Sequence, residues 1–598
     1  MPEQNAGLNV ADAVRILKKT TGTSRLLKSF LIFQTLAVLD LLGVLIFGYI
    51  GGIILNGIDS NLSIIEFDFL PGFLNIEEMS LQVRVTILTG FAIAILLFRS
   101  ICSLYFTRRN LQFLGRRSAE TSGRLVRSIL NGESKRFQNI STELYTVTTG
   151  VQQLYTSVVG NLLGAMADLL LSLTFIIGIL FVDVFTSLVV AILFSLFGWI
   201  LHSLLAKRVK ANGEAIGRIS RQSQQEVMDT VQLFREIRLR GVSEQHSNRI
   251  KETRRSLFNF LVPNQIYGIL NKYLIEGFLL LTLTTVAGFL FLLYDVSTGF
   301  TKLAIFFIAS SRIAPALLRL QQSLFQANSH IAQAHITLNE MAKLQPSASV
   351  SSSLSSNHKE YGHEFMTPRI EVENLSYTHM SEVVERHDWK LEVKRLVINP
   401  GDVVALLGPS GSGKTTFVDL LLGFKEPNTG SIYIDGIPVH EVSVSTRGYL
   451  GYVPQEVHLQ NSSLIENISL LDEGILDDED KVWEVMDLVG LGAWAKQLPQ
   501  GLETIIGSGS IMPSGGQRQR IGLARCLISK PRIIVLDEVT SGLDASTEKS
   551  LLKRMASLPW LNTQIWVTHR QAVADLANIE VEVAKNGKIS IRKLKVND

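Results

Sequence analysis

The sequence predicts an all-α polytopic membrane domain, six transmembrane helices with long cytosolic extensions, joined to an α/β domain of the phosphate-loop type. Three observations carry this reading. Long apolar runs crowd the chain before about residue 325, and after about residue 366 the pattern becomes that of a soluble α/β domain. In that second part, Gly408-Pro-Ser-Gly-Ser-Gly-Lys414-Thr415 stands between a strand-like run and a helix-like one. Averages over the 598 residues conceal the division, because mean hydropathy is +0.24 while 19% of residues are charged. A net charge of +3 is small for this length and points away from nucleic acid as a partner. The two cysteines, Cys102 and Cys526, make neither a disulfide framework nor a metal-ligand spacing. Residues 1–25 hold no long apolar stretch, so no cleavable secretory signal is expected.

A spanning helix needs roughly 20 mostly apolar residues. Six stretches qualify, at approximately 30–55, 85–107, 155–181, 185–205, 267–294 and 302–324, within a membrane domain of residues 1–343. Lys and Arg cluster before the first stretch (Lys18, Lys19, Arg25, Lys28), after the second (Arg108 to Arg127) and after the fourth (Lys207 to Arg240). The connection between the first and second is acidic. The positive-inside rule then places the N-terminus, the two long connections and the second domain in the cytosol. In Ser220–Arg240, Val227, Val231, Phe234 and Ile237 recur at helical spacing, so these connections are expected as helical extensions of the spans. The serine-rich stretch Pro346 to Asn357 marks a linker over 344–366, and the nucleotide-binding domain follows over 367–598.

The phosphate loop comes first in the chemistry. Val403 to Leu407 reads as a strand, and Thr415 to Leu422 as a helix stopped at Gly423. Such a unit aims backbone N–H groups and a helix N-terminus at phosphates. Gly408, Ser410, Gly411, Ser412, Gly413 and Thr416 form the expected cradle. Lys414 is expected on the β- and γ-phosphates, and the Thr415 hydroxyl on Mg²⁺. Downstream, the apolar run Ile533 to Leu536 ends in Asp537-Glu538. Asp537 is expected to hold Mg²⁺ through water, and Glu538 to act as general base toward an attacking water.

Ser514-Gly515-Gly516-Gln517, followed by a basic helix and, roughly 20 residues on, by the Asp-Glu strand end, resembles the ATP-binding cassette family. That resemblance covers the whole second domain and implies an α/β P-loop ATPase. It implies that Gln455 senses Mg²⁺ and contacts the membrane domain, that Ser541-Gly-Leu-Asp544 couples two sites, that His569 reads the γ-phosphate, and that Tyr377 stacks on adenine. In the family the phosphate loop and the Ser-Gly-Gly-Gln segment occupy opposite faces. ATP on Lys414 is therefore closed by Ser514, Gly515, Gly516 and Gln517 of a second copy, and Asp544 joins the same composite site. With Glu538 and His569 both present a homodimer is favoured, and a heterodimer with a related half-transporter is the alternative. The chain departs from the family pattern at Pro513, where Leu is usual, at Ser508-Gly509-Ser510, where Glu-Arg-Gly is usual, and at Gly542, where Ala is common.

The substrate is less legible. Arg99, Arg312 and Arg319 lie in or near spans two and six, and Asp40, Asp168 and Glu276 in spans one, three and five. Intramembrane charges are costly and mark function or mutual pairing. Two readings stand: an arginine-lined cavity for an anionic head group, or interhelical Arg–carboxylate pairs. Arg312-Ile-Ala-Pro315-Ala-Leu-Leu-Arg319 and Asp40-Leu-Leu-Gly43 resemble segments of bacterial lipid-linked oligosaccharide flippases. So does Phe67-Asp-Phe-Leu-Pro-Gly-Phe-Leu, read as a short interfacial helix. That resemblance implies an exporter or flippase in a bacterial inner membrane, moving a lipid-linked substrate such as a polyprenyl-linked glycan. The alternatives are a multidrug, lipid or peptide exporter and, from another class, a membrane-tethered ATPase that regulates a channel.

Overall fold

The computed structural model describes residues 23–56, 81–130, 140–180, 184–294, 296–343, 368–378, 389–446, 448–507, 509–539 and 545–594. The linker, the 67–74 segment and Ser541–Asp544 lie outside these residues. The chain divides into two compact units, Met1–Gln345 and Pro346–Asp598.

The first unit is helical throughout its described residues. It runs α1 (Thr23–Asn56), α2 (Leu81–Leu130), α3 (Ile140–Tyr145), α4 (Gly160–Leu180), α5 (Val184–Gln232), α6 (Phe234–Arg240), α7 (Ser243–Leu293), α8 (Val296–Gln333) and α9 (His335–Lys343). Helices α2, α5 and α7 are 50, 49 and 51 residues long. At 1.5 Å per residue each reaches about 75 Å, well beyond a ~30 Å hydrocarbon core. The expected extensions of spans two, four and five are thus helical, although Ser220–Arg240 is not one continuous helix, because α5 ends at Gln232 and a short separate helix follows. Among the described residues five helical segments are long and apolar enough to cross a membrane, within α1, α2, α4 with the turns before it, α5 and α7. The sixth expected stretch lies within the 38-residue α8, which carries Arg312 and Arg319.

Local sequence explains the breaks. After α5 the chain bends at Leu233 (φ −88°, ψ 15°) into the short α6, which Gly241 ends in the left-handed region (φ 70°). Between α3 and α4 the helix widens into two π-type turns, Thr146–Gly150 and Gln153–Val159. A β-carbon on Gly150 would stand 1.9 Å from Thr337 Oγ1 of α9, so only glycine permits this approach. Inside the unit, Ala37, Val44, Leu171, Phe175, Ile313 and Ala316 bury one seam between α1, α4 and α8. Phe194, Leu201, Ile275, Leu290 and Phe306 bury a second between α5, α7 and α8. Leu97, Leu104, Trp199 and Leu281 stay largely exposed, as helices solvated by lipid tails allow.

The second unit is α/β. A four-stranded sheet has the order β2 (Leu391–Ile398), β1 (Ile370–Tyr377), β4 (Thr429–Ile434), β5 (Ile437–Pro438) and is antiparallel. A six-stranded sheet has the order β12 (Ile589–Lys593), β11 (Ile579–Val583), β3 (Val403–Leu407), β10 (Thr563–Val567), β9 (Ile533–Asp537), β6 (Leu450–Val453). It is parallel apart from the β11–β12 pair. Strand β9 is buried along its whole length, which is why its apolar run does not alternate. Each of its Ile, Val and Leu side chains contributes roughly 1.5–3 kcal/mol by leaving water. Helix α10 (Lys414–Leu421) follows β3. A helical layer, α12 (Leu464–Ser469), α14 (Glu479–Leu488) and α16 (Gly515–Leu527), packs with β6, β9 and β10 in one core. Between these lie α11 (Val439–Ser445), β7 (Ser462–Ser463), α13 (Glu473–Leu476), α15 (Gly492–Lys496) and β8 (Ile505–Ile506), and after them α17 (Ala545–Ala556) and α18 (Gln571–Ala574).

Candidate functional site

The parallel strands β3, β9 and β10 end side by side, and the catalytic candidates sit at those ends. The strand expected at Val403–Leu407 is β3, and the helix expected from Thr415 begins one residue earlier, at Lys414. Two glycines of the connecting loop are structurally required. Gly408 has φ 147°, and a β-carbon there would meet the Val583 carbonyl at 2.4 Å. Gly413 has φ 104° and caps α10 while lying against the Trp389 ring, 2.2 Å from a would-be β-carbon. Lys414 turns back over the loop and donates from Nζ to the carbonyls of Gly408 (2.9 Å) and Pro409 (3.1 Å). Burial lowers its ammonium pKa, and the charges of Glu538 and Asp537 oppose that shift. Ser412 Oγ is buried with no hydrogen-bond partner among the described residues, and Ser410, Gly411 and Thr415 are exposed. The loop thus offers an orphaned hydroxyl, an ammonium and a helix N-terminus to one place, a donor set suited to phosphate.

Strand β9 delivers Asp537 and Glu538. Asp537 is 7% exposed, and burial, aided by the neighbouring Glu538 charge, raises its carboxyl pKa. The Tyr452 hydroxyl donates to it at 3.5 Å, and burial pushes that phenol up to about 12. A divalent cation here would meet the Asp537 carboxylate and, at the start of α10, the exposed Thr415, which is oxygen chemistry that fits Mg²⁺. Glu538 adopts φ 50°, a conformation disfavoured for a side chain of its kind, while its N–H donates to the Val567 carbonyl of β10 at 3.1 Å. This turn aims its carboxylate out of the strand. Oε1 lies 2.7 Å from His569 Nε2, and Oε2 accepts from Gln455 Nε2 at 2.8 Å. Glu538, His569 and Gln455, separate in sequence, therefore converge on one carboxylate. A carboxylate held between an imidazole and a carboxamide is oriented to take a proton from water.

Ser514 caps α16. Its Oγ accepts from the Gln517 N–H (3.3 Å), and Gln517 Oε1 accepts from the Ser514 N–H (2.8 Å). The cap leaves Ser514 and Gly515 exposed. Pro513 is buried and its carbonyl accepts from Arg518 Nη1 at 3.0 Å, so the departure from Leu leaves the capped helix intact. Tyr377 ends β1 opposite Leu391 of β2. Its role as an adenine platform rests on the resemblance, and Asp544 lies outside the described residues. Sequence reasoning missed Trp389, two residues before β2, whose ring packs on Gly413. An aromatic beside the phosphate loop is invisible without the sheet pairing that brings it there. It also missed Arg570 and Glu548, joined at 2.8 Å with Glu548 5% exposed, which tie the residue after His569 to α17.

In the helical unit a separate cavity of about 480 Å³ is lined by Asp40, Arg99, Asp168, Arg312 and Arg319, with an apolar wall that includes Leu36, Ala37 and Leu171. Arg99 and Arg312 approach Asp40 at 3.2 and 4.0 Å, and Arg319 bonds Asp168 at 2.8 Å. The two readings of these charges coexist, because the arginines are paired and also face one space. Glu276 stands apart, 3.8 Å from Lys272.

Comparison with known proteins places this geometry. The ABC transporter family model matches residues 391–541. A multidrug resistance ABC transporter ATP-binding and permease protein of Lactococcus lactis is 27% identical over 364 residues, 60% of this chain and 59% of that one. An ATP-dependent lipid A-core flippase of Methylococcus capsulatus is 38% identical over 220 residues, 36% of each chain. The matched stretch thus spans less than two thirds of these relatives. A bacterial Atm1-family ABC exporter solved with ATP bound superposes with a TM-score of 0.71 at 19% identity, covering 95% of both chains. The second unit is therefore an ABC transporter ATP-binding domain, and the chain as a whole has the fold of an ABC exporter.

Proposed function

We propose that the chain is an ATP-driven exporter or flippase working as a dimer, probing its substrate in the arginine-lined cavity. The observation that carries the ATPase reading is the Glu538 carboxylate clasped by His569 and Gln455 at the mouth of the phosphate loop. Lys414 and the loop N–H groups hold the β- and γ-phosphates. Thr415, Asp537 and Gln455 would hold Mg²⁺, which would neutralise charge on those phosphate oxygens. Glu538 takes a proton from the attacking water as its oxygen bonds to the γ-phosphorus. The bond from that phosphorus to the β–γ bridging oxygen breaks, and the electron pair leaves with ADP. His569 and Gln455 keep the base aimed through these steps.

The Ser514–Gly515 cap on α16 is exposed, and the family resemblance implies that the cap of a second copy closes the nucleotide. Two nucleotides closed between copies make an interface that hydrolysis releases, and the long α2, α5 and α7 extensions carry the change to the spans. A homodimer in a bacterial inner membrane, with the ATP-binding domain cytosolic, fits the intact base and the charge asymmetry of the loops. The substrate is a lipid-linked or otherwise amphipathic anion, a polyprenyl-linked glycan among them. Multidrug export is the second reading, favoured by the extent of the match to the Lactococcus protein. ATPase activity of the purified dimer in nanodiscs, with and without lipid-linked glycans, tests the first. Stimulation that Arg312→Ala removes supports it. A flat response to glycolipids with stimulation by drugs supports the second.

A further inference from the structure

The cavity between α1, α2, α4 and α8 contains an imbalance of charge. Its ionisable lining residues are three guanidiniums, Arg99, Arg312 and Arg319, against two carboxylates, Asp40 and Asp168. One positive charge is left over. The three contacts are unequal. Arg319 holds Asp168 through both Nε and Nη2, each at 2.8 Å, a closed pair. Asp40, with a side chain only 3% exposed, is shared. Arg99 lies 3.2 Å from one carboxylate oxygen, and Arg312 only grazes the other at 4.0 Å. Nε of Arg99 is buried and has no hydrogen-bond partner among the described residues. The surplus charge therefore resides on Arg312, whose side chain is 42% exposed, and the unmet donor on Arg99 beside it.

We propose that Asp40 sets the charge of this cavity, so that the site takes an amphipathic substrate bearing one negative charge, a phosphodiester head group, in preference to a doubly charged diphosphate. This rests on the reading of the cavity as the substrate site. The physical reason is the cost of uncompensated charge at membrane depth. A single anion on Arg312 brings the lined space to neutrality, whereas a dianion leaves it negative beside Asp40. Asp40 competes with the incoming anion for Arg99 and Arg312. It is a specificity-determining residue that acts through those arginines, and the apolar wall beside it receives the lipid chain.

The test uses the full-length protein in nanodiscs of zwitterionic lipid. Two probes carry the same prenyl chain and sugar, joined by one phosphodiester or by a diphosphate, and the half-saturating concentration for ATPase stimulation is read for each. The wild type is expected to respond to the phosphodiester at a concentration at least about tenfold lower than to the diphosphate. Asp40→Asn adds one net positive charge and is expected to shrink or reverse that ratio by about tenfold or more. Asp40→Asn with Arg99→Gln removes both charges of the closer pair, keeps the net charge and is expected to restore the wild-type ratio. That double variant decides the matter if Asp40→Asn alone does not fold, a ratio unlike the wild type's overturning the inference, and Arg312→Gln, which removes the surplus charge, is expected to weaken stimulation by both probes without favouring the diphosphate. An arm with added phosphatidylglycerol distinguishes sources. Competition assigns the site to a bilayer phosphodiester, and its absence to the glycosylated one, each consistent with a monoanion. Equal responses of the wild type to both probes, or a ratio unmoved by Asp40→Asn, overturn the inference and leave the anionic substrate reading standing. No response to either probe overturns both.

Discussion

Replacing Glu538 by Gln tests the centre of the catalytic argument. Gln keeps the size of the side chain and its acceptor oxygen but cannot take a proton from water. It also exchanges the charge-assisted contact to His569 Nε2, 2.7 Å long, for a neutral one. Positioned acid–base groups contribute about 10²–10⁴-fold in rate. At about 1.36 kcal/mol per factor of ten, the barrier to hydrolysis should rise by roughly 3–5 kcal/mol. Stability should hardly change. The two side chains are 43% and 22% exposed, and a pair so accessible to water is worth about 0–1 kcal/mol. For a domain of this size that is a shift in Tm of at most about 4 °C. The left-handed backbone at position 538 is as costly for Gln as for Glu, so it cancels in the comparison. The assay pairs steady-state phosphate release with equilibrium binding of ATP. Hydrolysis falling by about 10²-fold or more with ATP affinity within about threefold supports the base assignment. Hydrolysis within about threefold of the wild type would refute it, and a fall in rate matched by loss of ATP binding would place Glu538 in binding instead.

Lys414→Ala removes the ammonium that lies over the phosphate loop, and ATP affinity should fall by about tenfold or more in a direct binding measurement, charge-assisted bonds to phosphate being worth about 1.5–3 kcal/mol. Arg570→Met leaves the Glu548 carboxylate, already short of a partner on Oε1, without its cation. Removing one member of a buried pair costs up to about 3–5 kcal/mol, discounted here to about 2–3 because Arg570 is partly exposed, so the Tm of the ATP-binding domain should drop by several degrees in calorimetry. Cys526 is buried against Gly451, and burial pushes its thiol from 9.0 up to about 12. Alkylation at pH 8 should leave it unmodified until the domain unfolds. Because the folded pKa is the higher, its contribution is fully present below pH 9 and is lost as pH rises from there toward 12, by about 1.4 kcal/mol per unit. Substituting Ala for Cys526 should flatten that alkaline decline in a stability-versus-pH series.

Local pattern determined much of this protein. The phosphate loop needs a strand, a helix start and glycines at positive φ within a few residues, so its place and the identities of β3 and α10 are written in consecutive positions. The same holds for the capped Ser514 helix, for the buried run that becomes β9, and for the long apolar runs that lie within α1, α2, α4, α5 and α7. What only the tertiary structure decided involves residues remote in sequence. Parallel strand order brings Glu538, His569 and Gln455 to one carboxylate, places Trp389 on Gly413, and pairs Glu548 with Arg570. No local signal carries these, because a helix or strand specifies which face a side chain takes but not what stands opposite. The membrane charges are the sharpest case. Composition alone left Arg99, Arg312 and Arg319 divided between a binding cavity and interhelical pairs. Packing α1, α2, α4 and α8 around one space made them both, since the low dielectric that makes a lone charge costly draws carboxylates to the arginines, while three guanidiniums cannot all be met by two carboxylates.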